Sequence, residues 1–379
     1  MNIFRCLAFS ALLAMSVSGA DAKDYNKGVA AYDAGDFKAA LKEFLPLAEG
    51  GDASAQVYIG LMYDNGEGVI QNDVEAVKWF RLAADQGDAF GQNNLGLMYD
   101  NGEGVTENDV EAVKWYRLAA DQGNAGAQYN LGWMYDNGEG VTQDDVEAVK
   151  WYRLAADQGD ADAQNSIGLM YDNGEGVIQN DVEAVKWYKL AADQGNANAQ
   201  GNLGTMYDYG EGVAQDDVEA VKWYRLAADQ GNAFGQYMLG TMYDYGEGVT
   251  KNDVEAVKWY RLAADQGDAK AQYNLALMYD NGEGVTQNDV EAVKWYRLAA
   301  DQGFADAQNS IGLMYEYGKG IIQNNVIAHM WYNIASSNGA ENGAKRRDEI
   351  AAKMTREEVA KAQAMAQECM SSSYKNCGD

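Results

Sequence analysis

The sequence of 379 residues is poor in histidine, proline, cysteine and positive charge, with one His, one Pro, three Cys, and 29 Lys and Arg against 58 Asp and Glu. A lone histidine, His329, leaves no room for catalysis or metal binding built on several imidazoles. It stands where sibling segments carry valine, which makes it a packing or capping residue, and no nucleophile, base and orienting acid can be assembled around it. No catalytic, cofactor-binding or metal-binding residues are therefore assigned. A net charge of −29 argues against nucleic acid as a partner. It leaves two readings, a solvated surface that keeps a long chain soluble, or a basic partner. Long apolar runs are also missing. The run from Cys6 to Val17 is too short for a membrane span, and no other stretch is longer.

What the sequence has is a period. Trp79 returns at 115, 151, 187, 223, 259, 295 and 331, thirty-six residues apart each time, which makes eight copies. A fixed period of this length marks a stacked repeat architecture. In the copy from Asp88 to Gly123, Leu95, Met98 and Tyr99 recur at the spacing of an amphipathic helix, here helix A. The loop NGEGVTEN follows, where Gly102 and Gly104 supply backbone angles that other residues avoid. Asn108 then caps a second helix, with Glu111 as its capping-box partner, and Ala112, Trp115, Tyr116 and Ala119 line one face of this helix B. Gly123 ends it in the left-handed conformation, and Asp88 or Asn124 caps the next helix A. Gly96, Ala112 and Ala119 let the helices approach closely, with Trp115 and Tyr116 as filling. One such hairpin cannot bury its own apolar face, so the copies must stack.

These residues resemble the Sel-one-like repeat family, relatives of the tetratricopeptide repeat, whose pattern reads roughly A-x-A-Q-x-x-L-G-x-x-Y-x-x-G-x-G-V followed by A-x-x-W-Y-x-x-A-A-x-x-G. The resemblance spans residues 52–339 and departs from the pattern at Ala276 and in the second half of the eighth copy. It implies an all-α fold, a right-handed α-solenoid of stacked helix-turn-helix repeats, used as a docking surface for other macromolecules. Cysteine-rich relatives linked to β-lactam binding or hydrolysis carry a cysteine pair in each repeat, and this chain has none there.

Taken in order, residues 1–22 read as a secretory signal peptide: Arg5 precedes the apolar run, and Ala-Asp-Ala supplies a cleavage signature. The mature chain is thus expected outside the cytoplasm, periplasmic or secreted, in a bacterium of Gram-negative type, with no lipid anchor on Cys6. Residues 23–51 form a degenerate first repeat, with Glu43 in place of the tryptophan. Pro46 falls inside its second helix and should kink or shorten it. In the eighth copy Glu, Lys and Leu positions become Ile327, Met330 and Ile334, a face that the tail must cover. That tail, 340–379, reads as a helical cap, with Thr355 to Glu358 as a capping box. Cys369 and Cys377 are most simply a disulfide in an exported protein.

Helix B hardly changes between copies, while helix A varies at its third, sixth, seventh, tenth and fourteenth positions, counted from Asp52 as one. At about 100° per residue these fall in one quadrant, expected to face solvent. In solenoids of this type helix A usually lines the concave side. The candidate partner-binding residues are Phe90, Asn93, Tyr129, Trp133, Thr205, Tyr209, Phe234, Tyr237, Thr241, Tyr245 and Tyr273. The functional expectation is a non-enzymatic scaffold for a protein or peptide partner, in the cell envelope or on a host. A glycan-binding module is the alternative, and β-lactam hydrolysis comes third. The loop from Asp100 to Glu111 fails as a calcium site, because Gly102, Gly104 and Val105 occupy ligand and turn places.

Overall fold

The computed structural model describes residues 21–374 and Cys377. The leader read at 1–22 lies outside the described residues, except for Asp21 and Ala22 at the start of the first helix. The chain divides into two units, residues 1–179 and 180–379. The described part of the first contains α1 (Asp21–Asp33), α2 (Phe37–Glu49), α3 (Ala53–Asn65), α4 (Asp73–Asp85), α5 (Ala89–Asn101), α6 (Asp109–Ala120), α7 (Ala125–Asn137), α8 (Asp145–Asp157) and α9 (Ala161–Asn173). The second contains α10 (Asp181–Asp193), α11 (Ala197–Tyr209), α12 (Asp217–Asp229), α13 (Ala233–Tyr245), α14 (Asp253–Asp265), α15 (Ala269–Asn281), α16 (Asp289–Ala300), α17 (Ala305–Tyr317), α18 (Asn325–Ser337), α19 (Gly343–Ala351) and α20 (Arg356–Ser371). Among the described residues every regular element is a helix, and each unit is a stack of hairpins in which consecutive helices pack together. The fold is an α-solenoid, as the period requires.

Local chemistry sets the helix ends. The Asp88 side chain accepts from Gly91 N at 2.8 Å to open α5, and Gly102, at φ 68°, closes it. Asn108 likewise accepts from Glu111 N at 3.2 Å to open α6. The expected capping box does not form there, for a simple reason. The Asn108 N–H already donates to Tyr99 O at 2.8 Å, so Glu111 turns outward to Lys114 at 3.2 Å. The box at Thr355 and Glu358 does form, where the Thr355 N–H has the Glu358 carboxylate as acceptor at 2.8 Å. Pro46 does not shorten α2, which keeps the thirteen residues of its siblings. Proline removes one ladder hydrogen bond, and packing of Phe44 and Ala48 on either side holds the helix through it.

Between the helices of a hairpin, the large ring belongs to tyrosine more than to tryptophan. Tyr116 is fully buried against Gly96, where a Cβ would come within 2.6 Å of the ring. The tryptophans lie beside this seam with uneven cover: Trp331 is fully buried, while Trp187 is only half-buried. Successive hairpins are tied by buried glutamines. Gln92 donates to Ala84 O of the preceding helix B at 3.3 Å and accepts from Gln122 of its own repeat at 2.7 Å, and the pattern recurs at Gln128 in the first unit and at Gln236 and Gln272 in the second. At the last repeat Asn338 takes the place of the second glutamine, donating to Gln308 at 2.8 Å and meeting the Tyr374 hydroxyl at 3.1 Å.

The tail is a cap. α19 and α20 pack on α18, and Met330 and Ile334 become fully buried, whereas Leu298, the counterpart of Ile334, is 44 % exposed. His329 is buried in this interface. Its pKa is lowered, first by burial and then by the Arg347 charge, with Asp348 opposing. Cys369 and Cys377 are brought together with Cα atoms 4.7 Å apart, a separation that permits a disulfide.

Candidate interaction surface

The variable quadrant of helix A does not face solvent uniformly. Trp133, Phe234, Tyr209 and Tyr245 are exposed, the last two by 65 % and 68 %. Phe90, Asn93, Tyr129, Thr205, Tyr237, Thr241 and Tyr273 are half-buried, and Met238 at the seventh position is buried. The sixth-position tyrosines lean on the helix-B seam: Tyr129 on Tyr152, with ring centroids 5.7 Å apart, Tyr237 on Tyr260 at 6.1 Å, and Tyr273 on Tyr296 at 5.7 Å. Burial accordingly pushes the Tyr129 hydroxyl up to about 12. Phe234 fills the space left by Gly201 one repeat earlier, with a would-be Cβ 3.0 Å from its ring. Asn93 accepts from Asn130 at 3.1 Å, again across repeats. These residues pack and present at once, because the quadrant borders both helix B of its own hairpin and the neighbouring hairpin.

Thr205 and Thr241 are tied to the acids beside them. The Tyr224 hydroxyl lies 3.3 Å from Thr205 Oγ1 and 3.2 Å from Asp208 Oδ2, and Tyr260 repeats this with Thr241 and Asp244 at 3.4 and 3.2 Å. In the first unit Tyr116 meets Asp100 at 3.0 Å and Tyr152 meets Asp136 at 3.2 Å. Burial is the main cause that holds all four carboxyls above their ordinary value; the tyrosine hydrogen bond lowers them, and neighbouring acids such as Glu139 for Asp100 and Glu247 for Asp208 raise them. An acid stands at this thirteenth position in every copy, as Gln stands at the fifth. That invariance of polar residues on a packed helix was the signal available in the sequence, and only the apolar constants carried the reading.

Helix B is less free than its outward spacing implies. The Arg81 guanidinium lies over the Tyr99 ring of the next repeat, and Arg117 and Arg153 repeat this with Tyr135 and Tyr171, at 5.6 to 5.9 Å. In the second unit Arg225 and Arg261 cover Tyr243 and Tyr279. The lysines of helix B are exposed and pair along their own helix, as Lys78 and Lys150 do with Glu75 and Glu147 at 2.5 Å.

Among the described residues no helix is long and apolar enough to cross a membrane, and no cluster of His, Cys, Asp and Glu could hold a metal ion.

A family model described as the Sel1 repeat matches eight times, at residues 53–88, 89–124, 125–160, 161–196, 197–232, 233–268, 269–304 and 305–339. Among solved structures, a protective antigen of uropathogenic Escherichia coli displaying an SLR fold is 32 % identical over 94 % of each chain, with a TM-score of 0.50. A Sel1 repeat protein from Oxalobacter formigenes is 36 % identical, covering 63 % of this chain and 96 % of its own, with a TM-score of 0.60. No curated protein matches the chain.

Proposed function

The chain belongs to the Sel1 repeat family, and from that premise we propose that it is a non-catalytic scaffold that binds a protein or peptide through the variable face of its A helices. Repeats of this family generally mediate protein–protein interaction. The observation that carries the reading is the exposure of Trp133, Tyr209 and Tyr245 at places where other copies carry Leu or Thr and Asn. Packing within the repeat does not require an aromatic there, and large exposed aromatics are the residues most often found as binding anchors. The scaffold works outside the cytoplasm, on the reading of residues 1–22 as a leader, with Cys369 and Cys377 oxidised.

The test is affinity capture by the mature chain from envelope extract and host secretions, followed by titration of the captured protein. Changing Trp133→Leu, Tyr209→Asn and Tyr245→Asn restores sibling residues, so folding should be kept and affinity should fall by about 2 kcal/mol or more, the usual size of an aromatic hot spot. Tyr129 is left in place because it supports Tyr152. Unchanged affinity in this variant, together with loss in Lys78→Glu with Lys150→Glu, would move the partner to helix B and sink the proposal.

A further inference from the structure

Three copies carry tyrosine directly after the thirteenth-position acid: Asp208-Tyr209, Asp244-Tyr245 and Glu316-Tyr317, where five others have Asn. In the third, the site is already filled from within the chain. Lys353, from the α19–α20 segment, places its ammonium 3.1 Å from the Glu316 carboxylate, and the neighbouring Tyr317 is 62 % exposed. Asp280 also receives a lysine, Lys319, at 3.2 Å; Lys319 stands at the sixteenth position, where all earlier copies have glutamate. Asp208 and Asp244 have no such partner among the described residues. The sixteenth position of the repeat that follows each is Glu247 and Glu283, whose charges raise the two carboxyls further, while Lys251 acts on Asp244 but pairs with Asp253 at 3.3 Å.

We propose that the acid–tyrosine pairs Asp208-Tyr209 and Asp244-Tyr245 form a docking surface for an extended protein segment bearing lysine or arginine side chains, each cation seated on the carboxylate as Lys353 is on Glu316, beside the exposed tyrosine that follows the acid. The charge is complementary, since like-charged Glu247 and Glu283 leave the surface in need of a cation. The exposed ring supplies an apolar wall for the aliphatic stem and a face for the cation. The protein uses the same chemistry internally where Arg225 and Arg261 lie over tyrosine rings. Thr205 and Thr241 replace leucine in these two copies alone, which makes the floor of the surface polar as well. This inference rests on the reading of the helix-A face as the binding face and names what that face takes.

The test is fluorescence anisotropy of the mature protein with a labelled decalysine peptide, with decaglutamate and N-acetylglucosamine hexamer as controls. Decalysine should bind and the controls should not. Tyr209→Asn with Tyr245→Asn, and separately Asp208→Asn with Asp244→Asn, should each weaken binding about tenfold, as expected for loss of two cation contacts. Asp100→Asn with Asp136→Asn removes the same charge beside Asn101 and Asn137 and should change affinity less than about twofold. Equal losses from both aspartate pairs would show attraction to net charge alone and overturn the proposal, as would absence of decalysine binding or binding of the hexamer through the two tyrosines. If a captured partner is lost with the tyrosine variant but decalysine does not bind, the scaffold reading stands and the cation chemistry falls. Circular dichroism melting of each variant checks folding.

Discussion

A Cβ on Gly248 would lie 2.1 Å from the main-chain oxygen of Asp217, in the preceding repeat. Gly248 also has φ 64°, so the second glycine of each loop serves both the turn and the contact between repeats. Gly248→Ala should cost more than about 2 kcal/mol, since the left-handed conformation alone costs an alanine roughly 1 to 2 kcal/mol and backbone cannot step aside as a side chain does. Gly240→Ala should cost less, because its obstacle is the Tyr260 ring and Ala276 already occupies the equivalent place. Urea unfolding midpoints of the two variants give the order.

Tyr188→Ala should destabilise by roughly 3 to 5 kcal/mol as a buried aromatic, and by more than Trp187→Ala, although tryptophan is larger. Tyr188 is fully buried and Trp187 is half-buried. The reverse order by thermal or urea denaturation would place the seam on the wrong ring.

The acids of the thirteenth position make a pH signature. Asp100, Asp136, Asp208 and Asp244 have raised folded pKa values, so they favour the folded state when protonated; that contribution is complete below the ordinary carboxylate value near 4 and is lost as pH rises through the raised values. Asp136→Asn, which keeps an acceptor for Tyr152, should therefore gain stability relative to wild type at pH 7 and lose that advantage near pH 4. A difference that grows on acidification would contradict the assignment.

His329 works in the opposite direction. With its folded pKa lowered from 6.5, its contribution is present above that value and is lost as pH falls. Amide protection factors in α19 and α20, taken relative to the intrinsic exchange rate at each pH, should fall between pH 7.5 and 5.5, and His329→Val, the sibling residue, should remove that change.

Intact-mass spectrometry and thiol titration of protein from the periplasm should show loss of the first 20 or 22 residues and no free thiol. Reduction of Cys369–Cys377, a separation of 8 residues, should cost about 2 to 3 kcal/mol by the loop-entropy relation, confined to the cap. Two alkylatable cysteines in the native protein would refute the bond.

The hairpins, their caps and the apolar cover at the C-terminal end were legible because they depend on local spacing: Asp88, Asn108, Gly102 and Ile334 act within their own segment or declare their need by composition. Contacts between repeats were not. That Arg81 lies over Tyr99, that Asn93 accepts from Asn130 and that Phe234 fills the space beside Gly201 are facts about neighbouring hairpins, and that Tyr129 supports Tyr152 and Asn108 N–H is spent on Tyr99 are facts about the two helices of one hairpin; a pattern of one helix contains neither kind. The candidate face was read correctly as variable and incorrectly as uniformly open, since a helix angle gives a direction without saying how near the next hairpin stands.

The buried glutamines bind each repeat to the one before through residues at the same two places in every copy. Loss or gain of thirty-six residues between equivalent places would therefore rejoin this amide chain without leaving an orphaned donor, and the terminus held by Asn338 and Tyr374 would stay the same.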